Sequence, residues 1–219
     1  LDMREIASLN YKLSQILRGD PHNGTNGYAV RSLYFDTIDD SDFRDKVDGY
    51  EMRRKIRLRI YDVTAGTAKL ELKEKQGEVQ RKRSLLLQRE EARALCRGDY
   101  TPLLAVNTDF SNELYSRMQQ FLYRPKCIVE YNRKAYIVPE NNIRITIDSQ
   151  LRATETEFDI FRPNLEIYPV GTAQSGTLEI KYSHFLLSYV KDLVSLKGRT
   201  QVSASKYCAA RSIGMHSEE

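Results

Sequence analysis

The sequence predicts an α+β chain: antiparallel strands that close into a barrel of about eight, with helices packed outside. Three observations point there. Four stretches alternate charged and aliphatic residues with the period of a strand. Glycine-bearing turns at Ala65-Gly66 and Gly77 separate consecutive alternating runs, as hairpins require. Between them lie segments whose apolar residues fall at helical spacing.

Taken in order, Met3 to Arg18 places Ile6, Leu9, Leu13, Ile16 and Leu17 on one helical stripe. The helix is expected to stop near Gly19, and Asp20 to Gly27 (DPHNGTNG) is loop by composition. Tyr28 to Asp36 is β-branched and aromatic enough for a strand, followed by a polar stretch to Gly49. In Gly49 to Tyr61, Arg53, Lys55, Arg57 and Arg59 share one face of a strand, opposite Ile56, Leu58 and Ile60. In Ala68 to Lys75, Lys69, Glu71, Lys73 and Lys75 oppose Leu70 and Leu72. Gln80 to Leu87 is a third strand whose parity leaves the direction of Arg81, Lys82 and Arg83 open. Glu90 to Cys96 and Phe110 to Leu122 read as helices, the second with Leu114, Met118, Phe121 and Leu122 as its stripe. Strands resume at Cys127 to Val138 and at Asn142 to Asp148, where Arg144, Thr146 and Asp148 oppose three isoleucines. Gly176 to Tyr182 sets Glu179 and Lys181 against Leu178, Ile180 and Tyr182. Phe185 to Leu196 is a helix with Leu186, Tyr189, Val190 and Leu193 inward, and Ser205-Lys206-Tyr207 falls in a short helical or irregular segment.

The 219 residues suffice for a large core. No repeat, linker or low-complexity run divides them, so a single domain over 1–219 is expected. Three widely spaced cysteines (Cys96, Cys127, Cys208) form no CxxC pair, which argues against a disulfide framework or a zinc site and suits a reducing compartment. No apolar run reaches bilayer length and Leu1 opens no secretory signal, so a cytoplasmic location is the expectation.

Net charge is only +4, so the cationic rows are placed rather than spread. Cations on one strand face recur roughly every 7 Å and repel unless an anion stands before them. Summed over four strands, that face holds eight cations (Arg53, Lys55, Arg57, Arg59, Lys73, Lys75, Arg144, Lys181) against three carboxylates (Glu71, Asp148, Glu179). In an open sheet this is a solvated face and nothing more. In a closed barrel the cations line a lumen and demand a polyanion, because guanidinium forks match phosphate oxygens. The three carboxylates then become candidate ligands for Mg²⁺ or Mn²⁺ riding on the phosphates. Nucleic acid would call for aromatics interleaved with the cations, whereas Ile56, Leu58 and Ile60 interleave here.

Seven motifs together resemble the VTC domain, the polyphosphate polymerase branch of the triphosphate tunnel (CYTH-like) metalloenzymes. They are GYxxRxKxRxRxY at Gly49–Tyr61, LELKxK at Leu70–Lys75, EYNRKAY at Glu130–Tyr136, RITID at Arg144–Asp148, LEIKY at Leu178–Tyr182, SKY at Ser205–Tyr207 and RSLYFDT at Arg31–Thr37. Each is weak alone; in register, from about Tyr28 onward, they are specific. The resemblance implies a closed triphosphate tunnel and transfer of the γ-phosphoryl of ATP to polyphosphate with a divalent metal. It implies that Arg57 and Arg59 lie on the tunnel floor, that Lys73, Arg133 and Arg144 are further phosphate ligands, that Glu179 binds the metal, and that Ser205 and Lys206 contact phosphate. Arg53, Lys55, Lys75, Lys82 and Lys181 complete the expected binding set, with Glu71 open between metal ligand and tunnel ion pair, and Asp148 expected to orient an arginine.

The family opens with an ExK-bearing strand, and none precedes Met3, so the barrel is expected to lack its first strand here. A polymerase needs no general base, since a polyphosphate end is already anionic; a hydrolase must activate water. His22, His184 and His216 fall in no motif and are read as surface or packing residues. Tyr34, Tyr61, Tyr131 and Tyr136 are read as packing and hydrogen-bonding residues, and the cysteines as structural. The alternatives are a non-catalytic module that binds polyphosphate or inositol polyphosphate, and an inorganic triphosphatase.

Overall fold

Alternation of aliphatic and charged residues produces strands with one face for a core, and a computed structural model places each such face against helices. It describes residues 1–172, 175–196 and 198–215, so His216 lies outside the described residues. The chain forms two compact units: residues 1–29, 131–151 and 169–204, and residues 30–130, 152–168 and 205–219.

In the first unit, α1 (Met3–Ile16) starts at a reciprocal cap. Asp2 Oδ1 accepts from the Glu5 amide at 2.9 Å, and Glu5 Oε2 accepts from the Asp2 amide at 2.8 Å. The helix ends two residues earlier than expected. Leu17 turns extended and β1 (Arg18–Gly19) pairs with β6 (Arg124–Val138). Ile6, Leu9 and Leu13 are buried as the stripe requires, while Ile16 is exposed. The core gathers Tyr136 and Val138 of β6 and Ile143, Ile145 and Ile147 of β7 (Ile143–Thr154). Val190 and Val194 of α6 (Ser188–Val194) close it, whereas Tyr189, expected inward, is exposed. β8 (Tyr168–Pro169) is two residues long, and β9 (Gly176–Lys181) pairs antiparallel with β7.

In the second unit, β2 (Tyr28–Asp36), β3 (Met52–Ile60), β4 (Thr67–Gln76) and β5 (Val79–Gln88) pair antiparallel in sequence order. Leu33, Phe35, Ile56, Leu58, Leu70 and Leu72 form one apolar face. Against it pack Ala92, Leu95 and Cys96 of α3 (Arg89–Cys96), Leu103 of α4 (Pro102–Val106), and Leu114 and Met118 of α5 (Asp109–Gln120). α5 stops at Gln120 and Leu122 adopts φ 51, so Phe121 and Leu122 are exposed rather than part of the stripe.

α2 (Ser41–Val47) has no counterpart in the sequence reading, which left 37–49 as polar chain. Its amides are capped from outside the helix: Asp36, at the end of β2, accepts from the amides of Asp42 and Phe43, each at 2.9 Å. The chain closes in α7 (Lys206–Met215), a full helix where a short one was expected.

The hydrogen-bonded order is β5-β4-β3-β2-β6-β7-β8, with β1 added on β6 and β9 on β7. The sheet has nine strands where about eight were expected, and among the described residues its ends are not joined by hydrogen bonds. Strand pairing alone therefore gives an antiparallel sheet, not the closed ring. Cys96 and Cys127 are buried and Cys208 half-buried, all as free thiols. No described helix is long and apolar enough to cross a membrane.

Candidate functional site

In the second unit the register of three strands stacks like charges. Arg53 stands opposite Lys75, Lys55 opposite Lys73, and Arg59 opposite Lys69, with Lys73 in turn opposite Lys82. The pairing settles the parity of β5: Lys82 joins this face. Arg83 turns to the helix side, where it meets Glu113 and Glu74. Like charges directly opposite on a sheet destabilise it. On this face of β3, β4 and β5 the single carboxylate is Glu71.

Glu71 is 2 % exposed and both its oxygens are taken. Arg57 Nε donates to Oε2 at 2.6 Å and Lys82 Nζ stands 2.5 Å from Oε1, with Arg59 Nη1 4.0 Å away. Burial by itself raises the Glu71 pKa, but Arg57, Lys82 and Arg59 outweigh it and hold the carboxyl at about 2. Arg57 also donates to Tyr34 Oη at 3.3 Å, and Arg59 donates to Ser32 Oγ at 3.1 Å. Burial pushes the Tyr34 phenol up, and the cations Arg57, Lys55 and Arg59 more than reverse the effect.

The start of α7 belongs to the same cluster. Lys55 Nζ donates to Ser205 Oγ at 2.8 Å, and the same oxygen accepts from the Cys208 amide at 3.3 Å, capping the helix. Tyr207 fixes that helix end: its hydroxyl donates to Asp36 Oδ2 at 2.6 Å and its ring stacks on Tyr34 at 5.1 Å. Lys206 is thus the first residue of a helix whose N-terminal dipole favours anions. Lys46 of α2 is a member sequence reasoning missed. Burial, with Arg53, Lys55 and Lys75 nearby, lowers its pKa. Its only sequence signal was a polar segment read as irregular chain.

In the first unit the expected residues also converge, but each cation has a carboxylate. Arg133 holds Asp148 with two bonds, Nε to Oδ1 at 2.6 Å and Nη2 to Oδ2 at 2.7 Å, and its Nη2 lies 3.7 Å from Glu179. Burial lowers the Arg133 pKa, and Asp148 more than restores it. Lys181 Nζ is 3.0 Å from Glu179 Oε1. Arg144 Nη2 reaches Asp20 Oδ2 at 2.7 Å and donates to Tyr28 Oη at 3.0 Å. The Asp20–Gly27 loop is docked on β6: Asn23 Nδ2 donates to the Ala135 carbonyl at 2.6 Å, and its Oδ1 accepts from the Ala135 amide at 3.1 Å. Gly27, at φ +94, passes so close that a Cβ would sit 2.4 Å from the Arg133 carbonyl oxygen. Asp20 and Gly27 had been only loop residues in the sequence. His22, 84 % exposed, pairs with Asp20 at 2.8 Å, and His184 lies in a turn at φ 63.

Other motif residues are structural. Arg31 and Glu130 form a buried pair at 2.6 Å, and Arg31 Nη1 donates to the Ile160 and Arg162 carbonyls. Asp42, beside Asp36, is pushed up to about 7 by burial and by that neighbouring carboxylate, while Tyr123 Oη donates to it at 2.9 Å.

Mg²⁺ and Mn²⁺ commonly bind through one or two carboxylates plus substrate phosphates. Among the described residues no group of three or more His, Cys, Asp or Glu side chains converges. Glu179 suits such a metal better: its side chain is 38 % exposed, with Lys181 Nζ at 3.0 Å and Arg133 Nη2 at 3.7 Å. Glu71 does not, being enclosed and already neutralised by Arg57 and Lys82.

A solved structure of a candidate adenylate cyclase from Bacillus halodurans is similar at 13 % identity and TM-score 0.42, over 69 % of each chain. A protein of Pyrococcus horikoshii OT3 is similar at 11 % identity and TM-score 0.36, over 66 % of each chain. No curated protein matches the chain. The model of the VTC domain family matches residues 1–214, nearly the whole length, in agreement with the motifs from RSLYFDT to SKY. The chain belongs to the VTC domain family.

Proposed function

We propose that the protein is a metal-dependent phosphotransferase that moves the γ-phosphoryl of ATP onto a polyphosphate chain. The observation that carries this reading is the like-charge register of β3, β4 and β5, with Glu71 as the lone carboxylate on that face. A bound chain of phosphates supplies negative charge to the Arg53–Lys75, Lys55–Lys73 and Arg59–Lys69 pairs.

Arg57 and Arg59, held in place by Glu71, Tyr34 and Ser32, present fixed donors to phosphate oxygens. Arg53, Lys55, Lys73, Lys75 and Lys82 extend the grip, and Ser205 and Lys206 add the helix end. Arg133, Arg144 and Lys181 bind further phosphates when their carboxylates yield them, with Asp148 keeping Arg133 oriented. Glu179 would hold a divalent metal, which would supply charge neutralisation at the phosphates. The transfer forms one bond, from a terminal oxygen of the acceptor to the γ-phosphorus, and breaks the bond from that phosphorus to the β–γ bridging oxygen. The acceptor oxygen is anionic at neutral pH, so no residue has to take a proton, and alignment with charge neutralisation is the protein's share of catalysis. Closure of the sheet into a tunnel, and action of the whole chain as one domain, belong to this proposal.

The test is incubation with ATP and Mn²⁺, followed by gel electrophoresis stained for polyphosphate. Arg57→Ala is expected to weaken tripolyphosphate binding by at least about tenfold, the loss of one charge-assisted contact, with the circular dichroism unchanged. Unaltered affinity by calorimetry would overturn the phosphate role of the row. Tight tripolyphosphate binding without ATP turnover would instead identify a binding module.

A further inference from the structure

The cationic row is not the only place where arginines gather. On the opposite face of the same sheet, α3 buries Leu95 and Cys96 against the aliphatic residues of β4. There, within the second unit, a cavity of about 620 Å³ is lined by Arg93, Cys96, Arg97, Arg124, Pro125 and Phe158, among others. That volume suits a ligand of nucleotide size.

The carboxylates in its wall are already committed. Glu157 accepts from the amides of Phe158 and Asp159 at 3.0 and 3.2 Å and pairs with Arg162. Asp159 accepts from the Phe161 amide at 2.9 Å. Arg97 and Arg124 are not matched in the same way. Among the described residues, no carboxylate lies within ion-pair distance of Arg97 or Arg124, and the Arg124 guanidinium has the Tyr123 carbonyl at 2.7 Å. Arg93 Nη1 donates to Glu90 Oε1 at 3.1 Å, but its Nε is buried with no hydrogen-bond partner, Asp159 Oδ2 lying 3.7 Å away. A buried orphan donor beside two arginines without carboxylates calls for an anion. Besides Thr156, the rest of the wall is apolar: Pro125, Phe158 and the Cys96 side chain, a thiol that burial pushes up to about 12 and so keeps neutral.

We propose that this cavity is a second anion site, separate from the cationic row, that takes a phosphate monoester carrying an apolar or aromatic body. The dianion meets Arg97 and Arg124 at the rim, satisfies Arg93 Nε, and lays its body on Phe158 and Pro125. The inference stands independently of the polymerase reading.

Calorimetric titration of the whole chain with adenosine monophosphate tests it, with inorganic phosphate titrated alongside. Adenosine monophosphate is expected to bind at least about tenfold tighter than phosphate, because the apolar wall holds only the former. Replacing both rim arginines (Arg97→Ala with Arg124→Ala) should weaken it at least about tenfold through lost charged contacts. Arg57→Ala, across the sheet, should leave it within about twofold. Both rim residues are exposed, so the thermal midpoint of the double variant serves as the folding control. No binding, equal affinity for phosphate, an unchanged double variant, or loss on Arg57→Ala would each overturn the assignment.

Discussion

Replacing Glu71 by glutamine separates its two candidate roles. The side chain sits 2 % exposed among Arg57, Arg59 and Lys82. The drop in its pKa from 4.5 to about 2, at about 1.4 kcal/mol per unit, corresponds to about 3 kcal/mol of folding stability. A depressed carboxylate stabilises fully above its unfolded value, so this contribution is intact above pH 4.5 and lost as pH falls through about 2. Glutamine keeps the shape and removes the charge. Its midpoint at pH 7 should therefore drop by roughly 6–12 °C, and the steep acid loss of the wild type should flatten. Tripolyphosphate should then bind Glu71→Gln more tightly, since Arg57 and Lys82 no longer share themselves with a carboxylate. Differential scanning fluorimetry across pH, paired with calorimetry, reads both effects. A midpoint that scarcely moves, together with weaker binding of the metal–triphosphate complex, would refute the counter-ion role and return Glu71 to the metal.

Asp42 should show the opposite pH dependence. Burial and Asp36 raise it from 3.8 to about 7, so the stability attached to its protonated form is full below 3.8 and lost as pH rises through about 7. Asp42→Asn keeps an acceptor for Tyr123 and cannot ionise, so thermal melts at pH 8 should show it more stable than wild type; the same decline with pH in both proteins would contradict this. Gly27→Ala places a methyl 2.4 Å from a backbone oxygen at φ +94, which no rotamer change relieves. It should cost at least about 2 kcal/mol in urea unfolding and loosen the loop that carries Asp20. An unchanged unfolding midpoint would refute the close approach.

How much the sequence reveals follows from how local each cause is. The faces of β3, β4, β7 and β9 were legible because alternation is local: Ile56 and Leu58 are buried in one core, Ile145 and Ile147 in another. The face of β5 was not, because Arg81, Lys82 and Arg83 alternate nothing, and only the pairing of Lys73 with Lys82 decides it. α2 escaped because it is short and its amides are capped by Asp36, while Asp40 at its start makes no side-chain cap bond. The paired arginines were legible as chemistry, but their neighbours were not. Tyr34 and Lys46 reach the β3 cations, and the Asp20 loop reaches Arg144, through register and long-range contacts that no short motif encodes. Closure of the sheet is a property of all the strands together, and alternation is equally compatible with an open sheet.

The two groups of cations differ in what an incoming polyanion must displace. Arg133, Arg144 and Lys181 each begin with a carboxylate, so a phosphate gains there only what it wins over Asp148, Asp20 or Glu179. On β3 and β4 the cations face one another, and a phosphate relieves repulsion as well as forming contacts. Affinity should therefore concentrate on the β3–β4 face, while the carboxylate-matched set can bind and release more easily. Under the proposed function, a divalent cation would compete with Lys181 and Arg133 for Glu179.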